Sequence, residues 1–127
     1  MLDYTLFIVD DEQTIREGIV ADIGEDYHLH TFKTAEDALD NLQSHNPDLV
    51  LMDIGLPGMN GIQALKKLKA VAPGLLVIMI TAYEDANSVI ECMEHGAYDY
   101  IIKPIHMERL EVTIAKALET IRLQKKV

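Results

Sequence analysis

Apolar residues follow two rhythms along this chain, and the rhythms alternate. Continuous apolar runs at Tyr4–Val9, Asp48–Met52 and Leu75–Ile80, with weaker runs at Tyr27–Phe32 and Ala97–Ile102, predict five strands. After each strand the spacing changes to three and four. Ile15, Ile19 and Ile23 predict a helix that begins near Glu12 and stops at Gly24. Thr34, with Asp37 three residues on, caps a second helix whose apolar face is Ala35, Ala38, Leu39 and Leu42. Ile62, Leu65, Leu68 and Ala72 mark a third, which ends near Pro73-Gly74. A fourth runs over about Asp85–His95, with Ala86, Val89, Ile90 and Met93 inward and Gly96 as its stop. The last spans Met107 to Gln124 through Leu110, Ile114, Ala117, Leu118 and Ile121, with Arg122, Lys125 and Lys126 near its C-terminal end, where the dipole favours cations.

Strict alternation of strand and helix implies a parallel sheet covered on both faces and joined by right-handed crossovers. The polar Tyr27–Phe32 strand and the short Ala97–Ile102 strand suit the edges, and the continuous apolar runs suit the middle. The expected fold class is α/β, a flavodoxin-like doubly wound five-stranded parallel sheet of order 2-1-3-4-5 with five helices on its two faces. One domain accounts for residues 1–127, compact to about residue 122, with 123–127 reading as the start of a linker.

Composition narrows the chemistry. An apolar fraction of 49% suits a packed core, and a net charge of −10 argues against direct contact with nucleic acid, which needs a basic face. The single Cys92 excludes an internal disulfide and a multi-cysteine metal site, and its helical setting suggests a core thiol. His28 and His30 share one side of an edge strand, a weak case for a metal site. No signal peptide and no apolar segment long enough to cross a bilayer is evident, so the expected location is the cytoplasm.

In a sheet of this kind the C-terminal strand ends share one edge, where ligands bind. Those ends carry Asp10 and Asp11, then Asp53, Thr81 and Lys103. Taken singly, each has a bland reading. Asp10 and Asp11 could cap the first helix, Asp53 could be a turn residue, Thr81 could cap the next helix, and Lys103 could be a solvated strand end. Together they bring three carboxylates to one place, which calls for a cation or shifted pKa values. Oxygen ligands of this kind suit Mg²⁺ (or Mn²⁺). Metal, ammonium and hydroxyl around one carboxylate form a clamp for a phosphoryl group, with Asp53 as the nucleophile that accepts it.

The ordered set Asp10-Asp11, then Asp53 followed by L-P-G-M-N-G, then Thr81-Ala82, then Tyr100 and Lys103-Pro104 resembles the receiver domain of bacterial response regulators over essentially the whole chain. The resemblance implies a phosphoacceptor at Asp53, supplied by the histidine of a sensor kinase, a phosphotransfer protein or a small phosphodonor. It implies Mg²⁺ held by Asp11 and Asp53, by the Gly55 backbone carbonyl, and by Asp10 through water. It implies Lys103 paired with a phosphoryl oxygen, a cis Lys103–Pro104 bond, and a switch through Thr81 and Tyr100 with small Ala82 leaving room. The readout would be the surface of the fourth helix, fifth strand and fifth helix, controlling an output domain or partner in transcription regulation, with homodimerisation through that surface. Such a domain is not an enzyme, though it assists its own phosphorylation and autodephosphorylation.

Three positions depart from the family's habit. Gly55 and Tyr83 occupy places that tune phosphate lifetime, and His106 stands where Asp or Ser often caps the last helix. A haloacid-dehalogenase-like phosphatase would need D-x-D after the first strand, where this chain has adjacent Asp10-Asp11. A flavin module would need a phosphate-cradling loop there, and two carboxylates would repel it. A phosphate-independent scaffold is disfavoured by the intact acidic, Thr and Lys positions.

Overall fold

The computed structural model describes residues 3–82 and 85–125. In chain order the elements are β1 (Thr5–Val9), α1 (Gln13–Ile23), β2 (His28–Phe32), α2 (Ala35–Asp40), α3 (Leu42–His45), β3 (Leu49–Asp53), α4 (Gly61–Val71), β4 (Leu76–Thr81), α5 (Ala86–Glu94), β5 (Asp99–Ile102) and α6 (Met107–Gln124). The strands form one parallel sheet in the order β2-β1-β3-β4-β5, as the alternation of patterns predicts.

The side-chain period of two splits each central strand between two cores. Leu6, Ile8, Leu49, Leu51, Ile78 and Ile80 pack with Ile19 of α1 and Ile114 of α6. Phe7, Val9, Val50, Met52, Val77 and Met79 pack with Ala38 of α2, Leu65 of α4 and Cys92 of α5. Burial on both faces is why β1, β3 and β4 read as unbroken apolar runs. Edge strand β2 is half-exposed, and its His30 stacks on His45 of α3 with ring centroids 4.0 Å apart.

The second helix differs from the expected single one. Thr34 caps it as expected, accepting the Asp37 N–H at 3.1 Å. At Asn41 the helix breaks into α2 and α3, because the Asn41 side chain donates to Asp37 O at 2.8 Å and competes with the helical ladder. Asn46 then ends α3 in the left-handed region, at φ 45°.

The expected inward face of the Ala86–Glu94 helix is also corrected. Ile90 is 59% and Met93 42% exposed, Ala86 faces solvent, and Cys92 is the buried residue, with Val89 half-buried. The buried face lies about a third of a turn from the predicted one. Apolar residues occur on two sides of this nine-residue helix, so spacing alone could select the wrong side. Burial pushes the Cys92 thiol up to about 11, with Glu91 and Asp85 adding to it, which fits a core thiol.

Candidate functional site

Four strands deliver polar residues to one edge of the sheet. β1 runs into Asp10, β3 ends in Asp53, β4 ends in Thr81 and β5 leads into Lys103. Strand pairing sets their spacing, with Val9 level with Met52, Asp53 with Ile80, and Thr81 with Ile102.

Lys103 draws these ends together. Its Nζ lies 2.9 Å from Glu12 Oε1, 3.2 Å from Asp10 Oδ2 and 3.3 Å from Asp53 Oδ2. Its backbone N–H donates to Thr81 O at 2.8 Å, which ties the lysine to the end of β4. The Lys103–Pro104 peptide bond is cis, in agreement with the expectation. Burial works against the lysine's charge, but Glu12, Asp53 and Asp10 outweigh it and hold the ammonium above its usual pKa.

Asp10 is fully buried. Its Oδ1 accepts the Glu12 N–H at 2.9 Å, and its backbone carbonyl accepts Arg16 Nη1 at 2.7 Å. Among the described residues Oδ2 has no hydrogen-bond partner; the Lys103 ammonium at 3.2 Å is close enough for charge attraction without the geometry of a hydrogen bond. Burial pushes the Asp10 carboxyl above the usual carboxylate range; the Glu12 N–H opposes this, Asp53 adds to it and Lys103 opposes it.

That orphaned anionic oxygen fits a cation. Asp10, Asp11 and Glu12 each offer a carboxylate oxygen, all within 4.8 Å of one another, and an all-oxygen donor set suits a hard divalent ion. Of the four expected ligands, Asp10 and Asp11 share this group. Asp53 and Gly55 are paired instead with each other, the Gly55 N–H donating to Asp53 Oδ1 at 3.1 Å, and Asp53 is linked to Asp10 through the lysine.

The hydroxyl of Thr81 is buried but donates to Ala82 O at 3.3 Å, so it does not point at Asp53 through a hydrogen bond of its own. Ala82 is exposed, and Tyr100 is half-buried against the core that holds Met79 and Cys92. Tyr83 lies outside the described residues. His106 takes the N-cap of α6 without a side-chain hydrogen bond to the first turn, so its imidazole does not replace an Asp or Ser cap.

The β3–α4 loop is shaped by backbone crowding. A Cβ on Gly61 would stand 2.2 Å from Asp53 O and 2.7 Å from Ile54 Cα, so only glycine lets α4 begin this close to the acid. Asn60 and Gln63 then form a reciprocal capping box, at 2.9 and 3.0 Å. Sequence reasoning passed over this N-x-x-Q signal, and it read Glu12 only as the start of a helix and gave Arg16 no role. Beside the acidic site a largely apolar cavity of about 520 Å³ is lined by residues that include Ile15, Ala82, Lys103, Ile105 and Met107.

A match to the response regulator receiver domain family spans residues 6–115. The chain is 37% identical over 128 residues to the nitrogen assimilation regulatory protein NtrX of Azorhizobium caulinodans, covering 98% of this chain and 28% of that protein. It is 32% identical over 123 residues to the regulatory protein AtoC of Escherichia coli, covering 96% of this chain and 27% of that protein. The crystal structure of NtrX from Brucella abortus matches with a TM-score of 0.92 at 31% identity, covering 98% of this chain and 29% of that one. This chain therefore spans 27–28% of the length of these curated relatives.

Proposed function

The chain belongs to the response regulator receiver domain family, and on that basis we propose that it is a phosphorylation-dependent switch whose phosphoacceptor is Asp53. The observation that carries this reading is the Lys103 ammonium 3.3 Å from Asp53 Oδ2, at a strand-end edge that also holds the buried Thr81 hydroxyl.

In the proposed step an Asp53 carboxylate oxygen attacks the phosphorus of a kinase phosphohistidine. The new P–O bond forms as the P–N bond breaks, and the imidazole leaves with its electron pair and takes up a proton. With an acyl phosphate the leaving group is a carboxylate. Lys103 offsets the charge gathering on the phosphoryl oxygens. Mg²⁺ or Mn²⁺, held by Asp10, Asp11, Asp53 and the Gly55 carbonyl, would supply a second positive charge there. This makes the domain a phosphoacceptor that takes part in its own modification, not an enzyme with a separate substrate.

Thr81 and Tyr100 carry the message outward. The Thr81 hydroxyl leaves Ala82 O for the phosphoryl group, Tyr100 repacks beside it, and the α5–β5–α6 surface changes with them. Support comes from that surface itself, where Ile90 and Met93 of α5 and Ile102 of β5 are exposed apolar residues. Its occupant is a second copy of the domain or a covalently linked output domain, in the setting of transcription regulation that the relatives' names suggest. The sensor kinase is proposed to dock beside the acidic edge, where the apolar cavity lies. None of the helices in the described residues is long and apolar enough to cross a membrane; the proposed place of action is the cytoplasm.

Adding beryllofluoride with Mg²⁺ tests the switch. Backbone amide shifts should concentrate at Asp53, Thr81, Tyr100 and the α5–β5–α6 face, and sedimentation should report any gain in mass. Shifts confined to the metal-binding loop, with Thr81 and Tyr100 unmoved, would contradict it.

A further inference from the structure

Glu12 occupies the N-cap of α1, yet its carboxylate makes no capping hydrogen bond to that helix. Oε1 instead reaches Lys103 Nζ at 2.9 Å, across 91 positions of sequence, and this is the shortest of the lysine's three carboxylate contacts. The three partners differ in their freedom. Asp10 is fully buried and pinned through Oδ1 by the Glu12 N–H, and Asp53 is enclosed and held by the Gly55 N–H. The Glu12 side chain is 55% exposed, so it is the partner that can leave.

An ammonium has three N–H donors; Glu12 and Asp53 accept from this one, and the buried Asp10 carboxylate at 3.2 Å draws on its charge without a hydrogen bond. A phosphoryl group on Asp53 needs one of those donors and brings negative charge of its own. We propose that Glu12 competes with the phosphoryl group for the Lys103 ammonium, and so sets how readily Asp53 accepts the group and how firmly it is held. This rests on Asp53 being the phosphoacceptor. Glu12 acts through Lys103 and is a positioning residue.

The test compares the wild-type chain with Glu12→Gln and Glu12→Asp, measuring beryllofluoride affinity at saturating Mg²⁺ and the rate of labelling by an acyl phosphate. Glu12→Gln removes the charge at nearly constant shape. Glu12→Asp keeps a charge at the rim but is one methylene too short for the lysine, and it suits the N-cap of α1. Both variants should bind beryllofluoride roughly threefold more tightly than wild type, the scale of one partly exposed ion pair. Both should be labelled faster, with a folding midpoint no lower than wild type. A gain in Glu12→Gln but not in Glu12→Asp would assign the effect to general charge and overturn the proposal, as would no gain in either. A Glu12→Gln variant whose defect is lost Mg²⁺ affinity would make Glu12 a metal ligand and overturn it too. Wild-type protein that neither binds beryllofluoride nor labels at Asp53 would defeat the phosphoacceptor reading itself, an outcome distinct from normal labelling that Glu12 leaves unchanged.

Discussion

Lys103 Nζ stands 3.3 Å from Asp53 Oδ2, so two residues fifty positions apart in sequence meet as one ion pair at the sheet edge. The same ammonium is shared with Asp10, whose Oδ2 is buried and has no other polar partner among the described residues. Removing the cation leaves two enclosed carboxylates uncompensated. Lys103→Met should therefore destabilise the fold by about 2 kcal/mol, less than a fully buried pair because the lysine is partly exposed. Urea unfolding in the presence of a chelator measures this. Added Mg²⁺ should restore more stability to the variant than it adds to wild type, and equal gains would argue against a shared cation site.

Gly61 and Gly55 belong to the same loop region and should respond very unequally to alanine. A Cβ at Gly61 would collide with Asp53 O at 2.2 Å, so Gly61→Ala must move either the acid or the start of α4. A loss of about 3 kcal/mol is expected, with weaker labelling at Asp53. At Gly55 the nearest atom to a new Cβ is Asp53 Oδ1 at 3.9 Å, an ordinary contact. Gly55→Ala should fold with a stability within about 0.5 kcal/mol of wild type, while the lifetime of the phosphoryl group changes. Thermal unfolding and the decay of label after donor removal separate the two effects.

The His30 imidazole, stacked on that of His45, gives the fold an acid-sensitive point away from the Asp53 edge. Burial, then His45 and His28, lower the His30 pKa from its ordinary 6.5. The unfolded chain therefore binds this proton more readily than the folded one. Stability from this source is fully present above pH 6.5 and is lost as pH falls through the lowered folded value. His30→Gln should flatten the stability profile over that window, as chemical denaturation at a series of pH values would show. A parallel slope in the two proteins would contradict the assignment.

Sequence pattern reads the sheet well here because β1, β3 and β4 are buried on both faces, which leaves continuous apolar runs ending in polar residues. Asp10, Asp53, Thr81 and Lys103 were legible for the same reason, since the ends of parallel strands share an edge. Helix α5 was less legible: Ile90 and Met93 keep helical spacing but lie on the exposed side, and Cys92, a small apolar residue, carries the buried one. The break at Asn41 depends on a side chain bonding its own helix, and nothing in the apolar spacing reports that. Glu12 was hidden because its partner is 91 residues away and because a glutamate at a helix start already has a local explanation.

Asp53 is the residue proposed to accept the phosphoryl group. The most direct test of this role is mass-spectrometric mapping of the chain after treatment with an acyl phosphate and Mg²⁺, beside an Asp53→Asn variant treated in the same way. One phosphoryl group per chain is expected, located on Asp53 and absent from the variant, with the variant still folded. Label on another residue in the wild-type chain, or undiminished label in Asp53→Asn, would contradict that role.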